Sequence, residues 1–241
     1  MATGQRQFSL EVLESFSGGL NLRSDQFNLE ENESPDMLNV TVDPRGGIRM
    51  RDGVNRRNTT ALSHNVKGMW GFHTDGGTSQ LMANWGTKVG YSETGNFTEL
   101  SGITARTNGS RVYGITMNNV AYGVSFDQPS FKWTGSAASD LGTSFGASGN
   151  MPQAQYITFW NNFAWVANTY ETAETPPERR SRLRWSNIND PETWDATDYV
   201  DIDLGEHGDF ITALVPSGDR LLVFKNQSVY AVFGFDSDSF Q

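Results

Sequence analysis

An all-β protein made of many short strands is what this sequence predicts, on three observations. Glycine occurs 25 times among 241 residues, and aromatic residues make up 12% of the chain against 19% charged. Glycine supplies turns and aromatics suit pleated strands, while the Ala, Leu, Glu and Lys that build helices are sparse. Apolar residues also alternate with polar ones in short runs bounded by Asn and Gly turns, the period-two signature of half-buried strands. The length allows one large domain or two small ones, with a substantial core.

Residues 1–60 read as an arm and a hairpin. FSGGLNLRSDQFNLEENESPDMLNV holds the flexible pair Gly18-Gly19, and Ser34-Pro35-Asp36 has the form of an N-cap with proline at the first helical position. That predicts one or two helical turns through Met37 and Leu38. In NVTVDPRGGIRMRDG, Val40 and Val42 alternate with polar residues, Pro44-Arg45-Gly46-Gly47 forms the turn, and Ile48 and Met50 resume the alternation.

Residues 61–241 carry a loose repeat. VKGMWGFHTDGGTSQLMANWGTKVGYSE gives strand, Gly-rich turn, strand, turn at Gly86-Thr87, strand. SRVYGITMNNVAYGVSFDQPSFKWTG repeats this around Asn118-Asn119, AQYITFWNNFAWVANT around Asn161-Asn162, and DFITALVPSGDRLLVFKNQSVYAVFG around Ser217-Gly218-Asp219. Comparable hairpins start roughly 45 to 55 residues apart, the spacing of β-propeller blades of about four antiparallel strands each. The segment has room for about three to four blades, fewer than a closed ring commonly needs. An open fan leaves unpaired sheet edges, which calls for a longer parent chain or a neighbour to cover them.

The formal net charge is −10. A chain so acidic is poorly suited to wrapping nucleic acid, whose phosphates attract Lys and Arg; it fits either a wall that DNA slides past or plain solubility. There are no cysteines, so disulfides and thiolate metal sites are excluded, in keeping with synthesis in a reducing cytosol. MATGQRQFSLEVLESF lacks the pattern of a secretory signal, and no stretch approaches the roughly 20 apolar residues of a membrane helix.

Reactive motifs are sparse. His64, His73 and His207 lack metal-binding spacing, and no nucleophile elbow or phosphate loop occurs. The acidic run DPETWDATDYVDIDLGEHGD from Asp190 to Asp209 could supply hard ligands for calcium. Its alternation of Val200, Ile202 and Leu204 with Asp201 and Asp203 reads instead as a strand with one solvated face. Arg179, Arg180, Arg182 and Arg184 form a basic run that serves as a contact to a neighbouring subunit, as solvated surface or, the lesser alternative, as a contact to nucleic acid.

In RLRWSNINDPETWD, Leu183 and Trp185 are expected on opposite sides of a strand, with Asn189-Asp190-Pro191 turning the chain so that Trp194 folds back over it. Two indoles would then cap a blade edge by burial alone. LRWSNINDPETWD, the following DIDLGEHGDFITALVPSGDRLLVFKNQSVYAVFG and the N-terminal FSGGLNLRSDQFNLEENESPDMLNVTVDPRGGIRMRDG together resemble bacteriophage tail proteins of the nozzle or DNA-stabilisation class, over residues 14–57 and 180–234. The resemblance implies a virion protein of the tail, made in the bacterial host cytoplasm. It implies a propeller-like β domain in a homo-oligomeric ring, touching adaptor, fibre or tube proteins. DNA would pass through the lumen without sequence-specific binding. Such a chain has no enzymatic activity, cofactor, metal or membrane contact. Structural or interface roles fall to Phe16, Leu20, Leu22, Arg179, Arg180, Arg182, Arg184, Trp185, Pro191 and Trp194. The alternative is a carbohydrate-binding or glycan-hydrolysing β-propeller used for host-surface recognition, which needs paired carboxylates in one pocket.

Overall fold

The computed structural model describes residues 15–51, 53, 58–202, 209–236 and 239–240, with Gln26 described by its backbone alone. The chain divides into two compact units, Met1–Arg56 and Arg57–Gln241.

In the first unit, β1 (Gly19–Leu20) pairs in parallel with β2 (Glu33–Ser34), and β3 (Val40–Val42) pairs antiparallel with β4 (Ile48–Met50). The expected hairpin therefore forms, with Gly46 at φ 83° in its turn and Asp43 N–H donating to the Gly47 carbonyl at 2.7 Å. Only glycine adopts that φ freely. The helical turns expected after Ser34 do not form. The Ser34 hydroxyl instead closes a local turn by donating to the Asp36 carbonyl at 2.7 Å, and Asn39 leaves at φ 56°. Ser competes with helices in this way whenever its hydroxyl finds nearby backbone. Among the described residues the helical turn is instead a 3₁₀ turn at Gln26–Asn28, capped by the Asp25 side chain.

The second unit is a four-bladed β-propeller, as the repeat predicted. Blade I comprises β5 (Val66–His73), β6 (Ser79–Trp85), β7 (Lys88–Ser92) and β8 (Thr98–Glu99). Blade II comprises β9 (Tyr113–Met117), β10 (Val120–Ser125), β11 (Gln128–Trp133) and β12 (Ala138–Asp140). Blade III comprises β13 (Gln153–Trp160), β14 (Phe163–Tyr170), β15 (Glu178–Trp185) and β16 (Tyr199–Asp201). Blade IV has three described strands, β17 (Ile211–Ser217), β18 (Arg220–Lys225) and β19 (Val229–Val232). Each blade is a sequential antiparallel meander. The first hairpins of blades II and III turn on Asn118-Asn119 and Asn161-Asn162, all four at positive φ between 51° and 65°. Two successive left-handed residues give the turn whose twist matches that of the flanking strands, and Asn tolerates it better than other side chains.

Because side chains alternate, each blade has two faces, and successive blades bury them against one another in three seams. Phe72, Met82 and Val89 of blade I meet Ala121, Phe131 and Trp133 of blade II. Tyr122 and Val124 of blade II meet Ala154, Ala164 and Val166 of blade III. Phe163, Trp165, Leu183 and Trp185 of blade III meet Leu221, Val223 and Val232 of blade IV. Close approach between blades I and II needs glycine, since a Cβ on Gly114 would lie 2.3 Å from the Trp70 indole. Asn side chains also latch across two seams: Asn118 Nδ2 donates to the Asn189 carbonyl at 2.8 Å, and Asn161 Nδ2 to the Gly234 carbonyl at 3.2 Å.

Candidate functional site

The strand β15 and its following loop gather most of the residues the sequence singled out. β15 is the third strand of blade III, so its alternation sends Leu183 and Trp185 together into the seam with blade IV, and Arg182 and Arg184 to the other side. The expectation that Leu183 and Trp185 face opposite ways is thereby corrected: residues two apart in a strand share a face. Trp194 folds back on the turn before it, away from Trp185. It is fully buried in the seam between blades II and III, its indole N–H donating to the Pro191 carbonyl at 2.9 Å. The two indoles thus anchor opposite faces of one blade. Pro191 is buried, and the loop is clamped to the entrance of blade III by Gly146 N–H on the Trp194 carbonyl (2.7 Å) and Asn150 N–H on the Glu192 carbonyl (2.9 Å).

The four arginines do not form one patch. Arg182 and Arg184 are only 3% and 2% exposed, and both converge on the buried carboxylate of Glu171. Arg184 grips it bidentately, Nε on Oε1 and Nη2 on Oε2, both at 2.8 Å. Arg182 adds Nη1 on Oε2 at 3.0 Å and makes its own bidentate pair with Asp201 at 2.7 and 2.8 Å. Tyr199 lies against both guanidiniums, 3.9 Å from that of Arg182 and 4.6 Å from that of Arg184, and Phe145 covers Arg184 at 4.3 Å. Planar, weakly hydrated guanidinium suits such a sandwich where ammonium would not. Arg179 reaches Glu174 at 2.5 Å, and Arg180 pairs with Glu178 at the surface. Solvated surface, subunit contact and nucleic acid were the readings of this run, yet its inner half cross-links a blade internally.

Electrostatics follow the geometry. Burial alone would raise the Glu171 carboxyl, but hydrogen bonds from Arg184 and Thr169 and the two guanidinium charges hold it below the ordinary carboxylate range. Arg182 is held above its usual value, first by the Asp201 hydrogen bond, against a burial that works the other way. Every oxygen of Glu171 already accepts a strong donor, so this carboxylate is not poised to exchange protons.

The acidic run is likewise divided. Asp190 caps its own turn through Glu192 N–H at 3.0 Å, and Asp195 accepts from the Thr197 N–H and hydroxyl at 3.0 and 2.9 Å. Glu192 binds Lys132 at 2.7 Å and the Tyr122 hydroxyl at 3.0 Å, tying blade III to blade II. Burial and then the Glu192 charge push the Tyr122 phenol up. Asp201 does not look to solvent; it faces Arg182, while Val200 is the exposed neighbour. Asp203, Leu204, Glu206 and His207 lie outside the described residues. Among the described residues, no group of three His, Asp or Glu side chains is placed to hold a metal ion.

Beside Glu171 a cavity of about 280 Å³ is lined by Phe145, Gln153, Tyr170 and Thr172 among others. In the first unit, Phe16 is half-buried, whereas Leu20 and Leu22 stand exposed. Sequence reasoning passed over Glu171, the buried Lys225 that pairs at 3.6 Å with Asp209 of the acidic run, and the buried Arg106, which binds the Thr104 and Pro129 carbonyls. Each is a lone charge in an ordinary strand or loop, and its partners lie elsewhere in the chain. No protein-family model matches the chain, and no curated protein matches it.

Proposed function

We propose that this chain is a structural component of a bacteriophage tail, a nozzle or head-to-tail stabilisation protein that forms part of a ring around the DNA exit channel. The observation that carries the reading is the use of its ionisable groups. The largest charged cluster among the described residues, Arg182, Arg184, Glu171, Glu174 and Asp201, is turned inward to brace a blade. That is the design of a rigid wall. The motifs of residues 14–57 and 180–234 support the same class. So does the first unit, where Leu22, Phe27, Leu38 and Met50 are all more than three-quarters exposed; apolar side chains in such numbers suit contact with neighbouring chains. A net charge of −10 suits a lumen that repels DNA and so lets it slide.

Imaging of purified tails with this chain located in the density tests the proposal. The expected picture is a ring of copies at the DNA exit, with Asp and Glu outnumbering Lys and Arg on the lumen wall. A basic lumen, or a chain absent from the particle, refutes it. A second reading, a glycan-binding propeller for host recognition, is favoured by the cavity that Phe145 and Tyr170 line together with Gln153 and Thr172. Binding to host glycans that is lost on Tyr170→Ala would decide for it.

A further inference from the structure

Three seams join four blades, and the series ends on a sheet face of the kind buried everywhere else. In blades I, II and III the middle strand sends Met82, then Tyr122 and Val124, then Phe163 and Trp165 towards the next blade, and all are buried. In blade IV the corresponding side chains are Leu222 and Phe224 of β18, and both are half-exposed. The strand register extends this face. Val215 lies opposite Leu222 and Ala231 follows it; Ala213 lies opposite Phe224 and Val229 follows it. Val215 is 43% and Val229 56% exposed, and Phe233 continues the face beyond β19. Seven neighbouring apolar side chains on one side of a sheet are a seam half without its partner.

The opposite end of the array carries a narrower apolar strip. On blade I the side turned away from blade II presents Val66, 40% exposed, and Met69, 57% exposed, beside half-buried Leu81, while their cross-strand partners Trp85 and Ala83 on the same side are buried, Trp85 against Phe97. Elsewhere the first strands of neighbouring blades pack together, β5 on β9, β9 on β13 and β13 on β17. Among the described residues no comparable packing joins β17 to β5. Each seam is directional, joining the forward face of one blade to the rearward face of the next. The two faces left over are one forward and one rearward.

We propose that blade IV of one copy docks on blade I of a second copy, so that the seam repeats between chains. Such head-to-tail contacts are heterologous, and they generate closed rings when the rotation permits. Two copies would bring eight blades, within the span over which propellers close. The inference deepens the assembly part of the proposed function, but it draws on the seams alone, and its test needs no virion.

Light scattering on the purified full chain at about 100 μM, well above the dissociation constant of a specific contact, should give a mass of two copies or more. Leu222→Asp and Met69→Asp, both at exposed or half-exposed positions, should each yield monomers with an unchanged circular dichroism spectrum. Mixed, the two variants should recover a two-copy species and nothing larger, because the mixture retains one intact seam. A monomeric parent chain overturns the proposal. So does an assembly broken by Leu222→Asp but not by Met69→Asp, since blade IV would then meet something other than blade I. Failure here with the chain still found at the tail exit would leave the virion reading standing.

Discussion

Glu171 shows how one side chain can set the character of a site. Its carboxylate is buried between two guanidiniums, and removing one member of a buried ionic network costs about 3–5 kcal/mol because the remaining charges are left without partners. Glu171→Gln should therefore lower unfolding stability in urea by an amount in that range. The pH dependence follows from the lowered carboxyl. Its stabilising contribution is complete above the ordinary Glu value of about 4.3 and is lost as the pH falls through the lower folded value. The stability gap between the parent and the Gln variant should hold from neutral pH to about 5 and narrow below about 4. A gap that stays constant to low pH would mean that Glu171 acts by shape alone. Little of this was legible beforehand: the four arginines stood out by number, but Glu171 sits 11 and 13 residues from its partners, and only the meander brings them together.

At the scale of elements, the Asn-Asn hairpins were legible because their cause is local. Two left-handed residues in a row are tolerated by Asn, and apolar alternation on either side fixes the register. The Asn161 side chain adds a second role by donating to the Gly234 carbonyl across the seam. These roles separate experimentally. Asn161→Gly keeps the turn and loses the latch, and should cost about 0.5–1.5 kcal/mol. Asn161→Ala loses the latch and also forces a Cβ into the left-handed region, adding about 1–2 kcal/mol. Denaturant midpoints for the two variants check the order, and an Ala variant as stable as the Gly variant would count against the strained turn. The helix expected at Ser34 failed for an equally physical reason, since its hydroxyl had a closer carbonyl to serve.

For the whole molecule, the division at Arg56 suggests a clean experiment. Residues 57–241 should fold cooperatively alone, because their three seams lie within that unit. If the proposed tail role holds, residues 8–57 contact adjacent chains, so particles lacking them should fail to assemble while the propeller keeps its β spectrum. Normal assembly without the segment would sink that part of the proposal.

Strand positions, turn residues and the division into repeating hairpins followed from the sequence alone, because alternation and positive-φ turns are set by residues a few places apart. The side on which each strand finds its neighbour is a different matter. Tertiary packing sent Trp185 forward and Trp194 backward from the same blade, turned two arginines inward onto Glu171, and left the forward face of blade IV half-exposed. Each of these outcomes depends on registers between strands and blades distant in the chain, and burial energy across those registers, not local preference, decides them.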